Sequence, residues 1–217
     1  MFSESLIRLK EKNLLREIKN SNSPQGSRIL IDGKEYINFS SNNYLGFANH
    51  PHVIESAQKA IAMFGFGSGA SRLLCGGSIL HSELEKRTAK FKGTESALIF
   101  NSGYSANTGI IPAIAYEGDV IFSDELNHAS IVDGCRLSKA KKIIYRHKDI
   151  GHLSELIEKE TAKRKIIITD SVFSMDGDIA PLKKIYNICS SLNAERLTPN
   201  ALLYIDDAHG TGVLGNG

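Results

Sequence analysis

The sequence predicts an α/β fold, a mostly parallel sheet with helices on both of its faces. Short apolar runs of strand length are separated by helical patterns, and this alternation is typical of βαβ units. Before the last run, apolar residues at helical spacing follow Pro181, a residue favoured in the first turn of a helix. The predicted strands are 97–100, 120–122, 143–145, 166–169 and 201–205.

The segment before this sheet predicts a helical arm, a hairpin and two helices. Apolar residues at helical spacing run through the first twenty residues, and a breaker cluster at 21–26 separates this arm from the body. Asp32-Gly33 predicts a tight hairpin turn, because such pairs accept a positive φ. Helical spacing returns at 53–61 and at 80–91. We therefore predict an N-terminal arm and hairpin segment at 1–45 and a partial large domain at 46–217.

The composition excludes several classes of partner. The 26 basic and 24 acidic residues leave a net charge of +2, so no strong field favours nucleic acid or a membrane surface. Three distant cysteines without a CxxC pair argue against zinc and against a disulfide scaffold. No apolar run approaches the ~20 residues of a membrane span, and the N-terminus resembles no targeting peptide. We expect a cytoplasmic protein without a metal, in which the basic stretch 139–148 is a solvated strand flank.

Polar residues follow four of the predicted strands, directly after each strand ends. The carboxyl ends of parallel strands lie along one edge of the sheet, where ligands bind in α/β folds. Each group by itself is explained at least as well by capping or turn formation, and for His128 better, but their coincidence predicts one shared site. Gly103 in addition opens a helix, and a helix N-terminus suits a phosphate. The residues of these four groups are Ser102, Gly103 and Tyr104; His128; Asp170 and Ser174; Asp206 and His209.

Two alternatives follow from local patterns. The glycine patterns at 65–70 and 210–215 match parts of a dinucleotide-binding fingerprint, but the first follows a helix and the second lacks the tight turn. A metal-dependent enzyme that uses Asp206, Asp207 and His209 is the other alternative. It lacks a further cluster of carboxylates and histidines.

Six segments, in order from about Asn38 onward, identify a family resemblance. They are Ser40–Gly46 (SSNNYLG), Gly67–Arg72 (GSGASR), Asn101–Asn107 (NSGYSAN), Asn127–Ser130 (NHAS), Val172–Asp178 (VFSMDGD) and Asp206–Gly212 (DDAHGTG). Together they resemble the α-oxoamine synthases, enzymes of the aspartate-aminotransferase fold type I that use pyridoxal 5'-phosphate (PLP). The last two segments are the most specific.

The resemblance implies a role for each matching residue. Asp206 would meet the pyridine nitrogen of PLP and keep it protonated, and His128 would stack on the ring and orient the substrate. Ser174 and His209 would bond the phenolic oxygen. The catalytic residues implied are His128, Asp206 and His209.

The remaining implied roles concern the phosphate and the acyl substrate. Ser102, Gly103 and Tyr104 would hold or flank the phosphate at the start of a helix. Asn42 lies in the segment that faces the acyl substrate in the family, and Asp207 would be structural.

The resemblance also implies a reaction, the decarboxylative condensation of an amino acid with an acyl thioester of CoA or of an acyl carrier protein. The chain looks most like the members that join L-alanine to a pimeloyl thioester in biotin synthesis. Members that acetylate glycine, or other α-oxoamine synthases, are the alternative, and the family implies a homodimer. An inactive fragment, or a subunit that depends on a partner, is the alternative of another class.

Family members continue with a strand, the Schiff-base lysine and a small domain, so we expect this chain to be truncated before that lysine. We expect residues 1–217 alone to be inactive. We also expect poor stability, because 97–100 would pair with a strand beyond residue 217 and unpaired strand edges aggregate.

Overall fold

A computed structural model describes residues 2–194 and 200–215 of the chain. Contacts divide the chain into two compact units, Met1–Gly67 and Ser68–Gly217. Residue 1 of the predicted arm and residues 195–199 and 216–217 of the predicted large domain lie outside the described residues. The segment boundary at residue 45 stays a prediction.

The N-terminal unit contains two helices, a short 3₁₀ helix and one hairpin. Asp32 and Gly33 have φ angles of 51° and 74°, the left-handed pair that a two-residue hairpin turn requires. The predicted hairpin is therefore confirmed. The elements are α1 (Phe2–Glu11), β1 (Arg28–Ile31), β2 (Lys34–Ile37), the 3₁₀ helix Phe47–Asn49 and α2 (Pro51–Phe64).

The helix predicted over the first twenty residues is too long, because α1 ends at Glu11. Asn13 adopts a left-handed φ of 54° just beyond it. The N–H groups of Leu14 and Leu15 then turn back to the carbonyl of Leu9, at 2.8 and 3.1 Å. This is how a left-handed residue closes a helix C-terminus, so the apolar spacing at 14 and 18 continues without a helix.

The C-terminal unit is built on a four-stranded parallel sheet. The strand order is β4-β3-β5-β8, and every neighbouring pair is parallel. The predicted parallel sheet is confirmed. The elements are α3 (Ile79–Lys92), α4 (Gly103–Ile114), β3 (Val120–Asp124), α5 (Ala129–Leu137), β4 (Lys141–Tyr145), α6 (Ile150–Lys159), β5 (Lys165–Asp170), β6 (Val172–Phe173), β7 (Asp178–Ile179), α7 (Leu182–Asn193) and β8 (Ala201–Asp206).

The core consists of two apolar clusters, and successive residues of a strand join different clusters. Phe122 packs with Leu153 of α6 and Ile185 of α7, whereas Ile121 packs with the cluster that contains residues of α4 and α5. Because side chains alternate across a strand, the two clusters lie on opposite faces of the sheet. This confirms helices on both faces. None of the described helices is both long and apolar enough to span a membrane.

Residues 97–100 are not a strand within the described residues, and their predicted pairing with a strand beyond residue 217 stays a prediction. Residues 97–100 form no ladder with any described strand. The N–H of Ile99 instead donates to Glu85 Oε1 at 3.0 Å, and Arg72 Nη1 donates to the same oxygen at 2.7 Å. The hydrogen bond from Arg72 lowers the pKa of Glu85 to about 2. A strand needs a neighbouring ladder to use its N–H groups, and here a carboxylate accepts one of them.

The sheet register brings three strand ends to one edge. Asp170, the last residue of β5, is the register partner of Asp206, the last residue of β8. β3 ends at Asp124 on the other side of β5, and α5 begins five residues later. The residues expected to form one site therefore come from adjacent strands.

Candidate functional site

A cavity of about 290 Å³ lies at the carboxyl edge of the sheet. It is lined by residues from all four of the groups that follow predicted strands, so the structure confirms that these groups meet. The predicted residues among its lining are Gly103, Tyr104, His128, Asp170, Ser174, Asp206 and His209. Their individual chemical roles stay predictions.

The N-terminus of α4 forms one wall of the cavity. Ser102 caps the helix, and its Oγ accepts a hydrogen bond from the Ser105 N–H at 3.0 Å. The first N–H groups of a helix have no partner within it, and Gly103 and Tyr104 at this start line the cavity. The Tyr104 hydroxyl donates to Asp133 Oδ2 at 2.6 Å, which raises the pKa of Tyr104. This wall is suited to an anion.

Asp206 adds a carboxylate to the cavity lining. Its Oδ1 accepts the Ala208 N–H at 3.0 Å, and its Oδ2 accepts Asn107 Nδ2 at 2.8 Å. In the ranges 2–194 and 200–215, no lysine or arginine forms an ion pair with this carboxylate. Both of its partners are neutral amides, so the carboxylate can accept a cationic N–H from a ligand.

His128 connects the cavity to α5, which it caps. Its Nδ1 accepts the Ser130 N–H at 3.2 Å, and its backbone N–H donates to Asp170 Oδ2 at 2.8 Å. The first contact holds the ring of His128 and the second holds its backbone. The imidazole ring is therefore placed at the cavity wall by α5 and by β5 together.

Asp170 is buried between β3 and β8. Burial raises the pKa of Asp170 to about 6, the negative charge of Asp206 acts in the same direction, and the hydrogen bond from the His128 N–H acts against both. The Asp170 N–H donates to Asn127 Oδ1 at 2.9 Å, and Asn127 Nδ2 donates to the Ile168 carbonyl at 2.9 Å. Through these two hydrogen bonds, Asn127 links β5 to the loop that contains His128.

Asp170→Asn is expected to stabilise the protein at neutral pH. A carboxyl whose folded pKa of about 6 exceeds its ordinary value loses folded-state stability as the pH rises through that interval. The amide oxygen can still accept the His128 N–H, so we expect the free energy of unfolding to increase by about 1–3 kcal/mol at pH 7–8 and to match the wild type near pH 4. Urea unfolding across this pH range measures the difference, with Asp176→Asn as a control at an exposed carboxylate of the same cavity. A difference that is the same at pH 4 and pH 8 would contradict this.

Ser174 lies on the short hairpin between β6 and β7, which is held by a histidine bridge. His147 Nδ1 contacts Asp124 Oδ1 at 2.8 Å, and its Nε2 contacts Asp178 Oδ2 at 3.0 Å. Burial opposes the protonation of His147, but the two carboxylates outweigh it and raise the pKa. Lys148 also pairs with Asp178. This part of the basic stretch is therefore bound to carboxylates and is not only a solvated flank.

Asp207, next to Asp206, holds the following loop. It accepts hydrogen bonds from Lys92 Nζ at 2.8 Å, from Ser171 Oγ at 2.7 Å and from Thr211 Oγ1 at 2.6 Å. Burial alone would raise the pKa of Asp207, but these hydrogen bonds outweigh it and lower that pKa.

Within the described part of the chain, no group of three or more His, Cys, Asp or Glu side chains is arranged to hold a metal ion.

Asn42 is placed in the N-terminal unit. Its Oδ1 accepts the hydroxyl of Tyr44 at 3.2 Å. The predicted contact of Asn42 with an acyl substrate stays a prediction.

The sequence reasoning missed Asn107 and Ser130 as site residues. Asn107 is only 3% exposed, and its amide joins Asp206 to Ser130 Oγ, each at 2.8 Å. A signal was present: Asn107 follows Gly103 by four residues, which places both on one face of α4.

A model of the family described as aminotransferase class I and II matches residues 34–217. A protein of Thermodesulfovibrio yellowstonii, provisionally named 8-amino-7-oxononanoate synthase, is 59% identical over 100% of this chain and 54% of its own length. The 8-amino-7-oxononanoate synthase of Geobacter metallireducens is 54% identical over 99% of this chain and 53% of its own length. The chain thus spans about half the length of the curated relatives it matches.

Solved structures resemble the chain over the same half. A Sphingomonas wittichii serine palmitoyltransferase covers 95% of this chain with a TM-score of 0.83 and 30% identity, over 50% of its own length. The enzyme of S. paucimobilis, solved with bound PLP and myriocin, has a TM-score of 0.84 and 30% identity over 95% of this chain and 52% of its own. The 8-amino-7-oxononanoate synthase of Francisella tularensis covers 82% with a TM-score of 0.65 and 32% identity, over 46% of its own length.

Proposed function

Because the chain belongs to the aminotransferase class I and II family, we propose that it forms the cofactor-facing part of a PLP-dependent 8-amino-7-oxononanoate synthase. The observation that carries this proposal is the cavity that joins the start of α4 to the Asp206 carboxylate. Relatives named for this activity, 48–59% identical, support the choice within the family. The substrates proposed are L-alanine and a pimeloyl thioester of CoA or of a carrier protein, and the complete enzyme is proposed to be a cytoplasmic homodimer.

The cavity fits the chemistry of PLP. The cofactor has a phosphate, a basic ring nitrogen and a phenolic oxygen. The start of α4 offers backbone N–H groups to the phosphate, and an added Cβ at Gly103 would meet nothing within 4 Å, so the approach is open. Asp206 has the carboxylate that a protonated ring nitrogen requires, and Ser174 and His209 line the cavity as partners for the phenolic oxygen. The volume of about 290 Å³ is near the lower end of the range for small-ligand sites.

Bound PLP supplies an electron sink for the α-carbon of the amino acid. The residues of this chain would bind and tune it. Asp206 would hold a proton on the ring nitrogen, which makes the ring a better electron acceptor. His128 would cover one face of the ring, exclude water from it and orient the substrate. Ser174 and His209 would form hydrogen bonds to the phenolic oxygen and so help to orient the cofactor.

None of the described residues that line the cavity is a lysine. The amine that anchors the cofactor and serves as general base in the family would then come from outside this lining. We propose that residues 1–217 alone contact the cofactor without this anchor and do not turn over, since general-base catalysis contributes roughly 10²–10⁴-fold in rate.

A product assay tests the proposed function. A polypeptide that contains this chain and the anchoring lysine, loaded with PLP, is expected to convert L-alanine and pimeloyl-CoA into 8-amino-7-oxononanoate with release of CO2, measured by mass spectrometry. Glycine with acetyl-CoA is the matched alternative pair, and residues 1–217 alone should give no product. Turnover of glycine and acetyl-CoA without turnover of the first pair would replace the assignment with a glycine acetyltransferase.

A further inference from the structure

We propose that Asn107 and Ser130 form a positioning relay between Asp206 and His128, which orients the carboxylate and sets the imidazole proton on Nε2. The relay runs from β8 through α4 to the start of α5. Asn107 and Ser130 are 3% and 1% exposed, and Ser130 also lines the cavity. The inference goes beyond the proposed function, because the proton placement is a property of the protein itself.

The first half of the relay is the Asn107 amide. Nδ2 donates one hydrogen to Asp206 Oδ2 and the other to Ser130 Oγ, each at 2.8 Å, and Oδ1 accepts the Tyr204 hydroxyl at 2.6 Å. A carboxylate can only accept, so the nitrogen and not the oxygen of the amide faces Asp206. Both donors and the acceptor are used, which leaves the amide one orientation.

The second half of the relay is the Ser130 hydroxyl. Its oxygen accepts from Asn107, so its hydrogen is available to His128 Nδ1, which lies 2.7 Å away. The Ser130 backbone N–H points to the same ring nitrogen at 3.2 Å. Two donors converge on Nδ1, so it acts as an acceptor and the neutral ring carries its proton on Nε2.

The direction of each hydrogen bond follows from the one before it. Because Asp206 only accepts, Asn107 must donate to it, and the second hydrogen of the same nitrogen makes Ser130 an acceptor. Ser130 then donates to His128. The carboxylate at the end of β8 thus adds, through Asn107 and Ser130 Oγ, a second donor beside the Ser130 N–H at His128 Nδ1, which a purely space-filling role of Asn107 would not do.

The test reads the tautomer of His128 by the ring ¹⁵N chemical shifts. Asn107→Leu keeps the approximate size of the side chain but removes the amide, so Ser130 Oγ becomes free to accept from Nδ1–H. We expect the fraction of the Nδ1–H form to rise about fivefold, because the hydrogen bond from the Ser130 hydroxyl no longer favours the Nε2–H form. Ser130→Ala removes the other link and is expected to shift the fraction in the same direction.

Tyr204→Phe is the matched control, because it removes a hydrogen bond from the same amide but leaves both donors. Its His128 shifts should equal those of the wild type. An unchanged tautomer in folded Asn107→Leu and Ser130→Ala would overturn the relay, and Ser130→Ala decides alone if the first variant does not fold. The spectra are recorded without PLP, so failure of the proposed function and failure of the relay are separate results.

Discussion

Asp206→Asn is expected to lower the turnover of the PLP-loaded enzyme about 10²–10³-fold, the loss that follows removal of one preorganised electrostatic partner. An amide has no charge with which to hold a proton on the ring nitrogen. Its single oxygen can accept either the Ala208 N–H or Asn107 Nδ2, both of which donate to Asp206, but not both, so we also expect some loss of stability. Steady-state kinetics measure the loss of turnover, and a PLP titration measures the binding of the cofactor.

The neighbouring carboxylate provides the control for this prediction. Asp207→Asn changes the same functional group one residue later, but Asp207 is engaged by Lys92, Ser171 and Thr211. We expect this variant to lose stability while it keeps most of its turnover. Equal losses of turnover in both variants would show that Asp206 has no special place at the ring nitrogen.

Gly134→Ala is expected to lower the free energy of unfolding by about 1–3 kcal/mol or more, the cost of overpacking a close contact. Gly134 lies on α5 where it meets α4. A Cβ there would be 2.6 Å from the Asn107 carbonyl oxygen and 2.8 Å from Ile111 Cδ1. The backbone atom cannot yield as a flexible side chain would, so the two helices must separate. Urea unfolding followed by circular dichroism measures the loss.

Gly151→Ala is the matched helical control. Gly151 is exposed on α6, and a Cβ there would come no closer than 3.4 Å, to Asp149 Oδ1. We expect this variant to gain up to about 1 kcal/mol from the lower conformational entropy of alanine in the unfolded chain. If both alanine variants were equally stable, the close approach of α4 and α5 would not be a constraint.

Local patterns were sufficient for most of the sheet. The strand that ends in Asp170 is a buried apolar run, and the strand that ends in Asp206 is an apolar run with Leu202 and Ile205 exposed; in both, a polar residue after the run marks the strand end. Local patterns are not sufficient where non-local pairing decides the structure. The apolar run 97–100 predicts a strand, but a strand needs a neighbour that accepts its N–H groups, and among the described residues Glu85 accepts the N–H of Ile99. The helix predicted for the arm was likewise too long, because the apolar spacing continues past Asn13, whose left-handed φ closes the helix.

The sequence by itself determined the parallel sheet and the meeting of the four groups at one edge, because side-chain periodicity and the polarity of parallel strands are local properties. The family resemblance implied different roles for the adjacent carboxylates Asp206 and Asp207, and the tertiary structure gives the physical difference, since Asp206 lines the cavity and Asp207 is bound to Lys92. Only the tertiary structure placed Asn107 against Asp206, a residue 99 positions away in sequence. Hydrogen-bond partners so distant depend on how α4 packs on the sheet, and no local pattern encodes that packing.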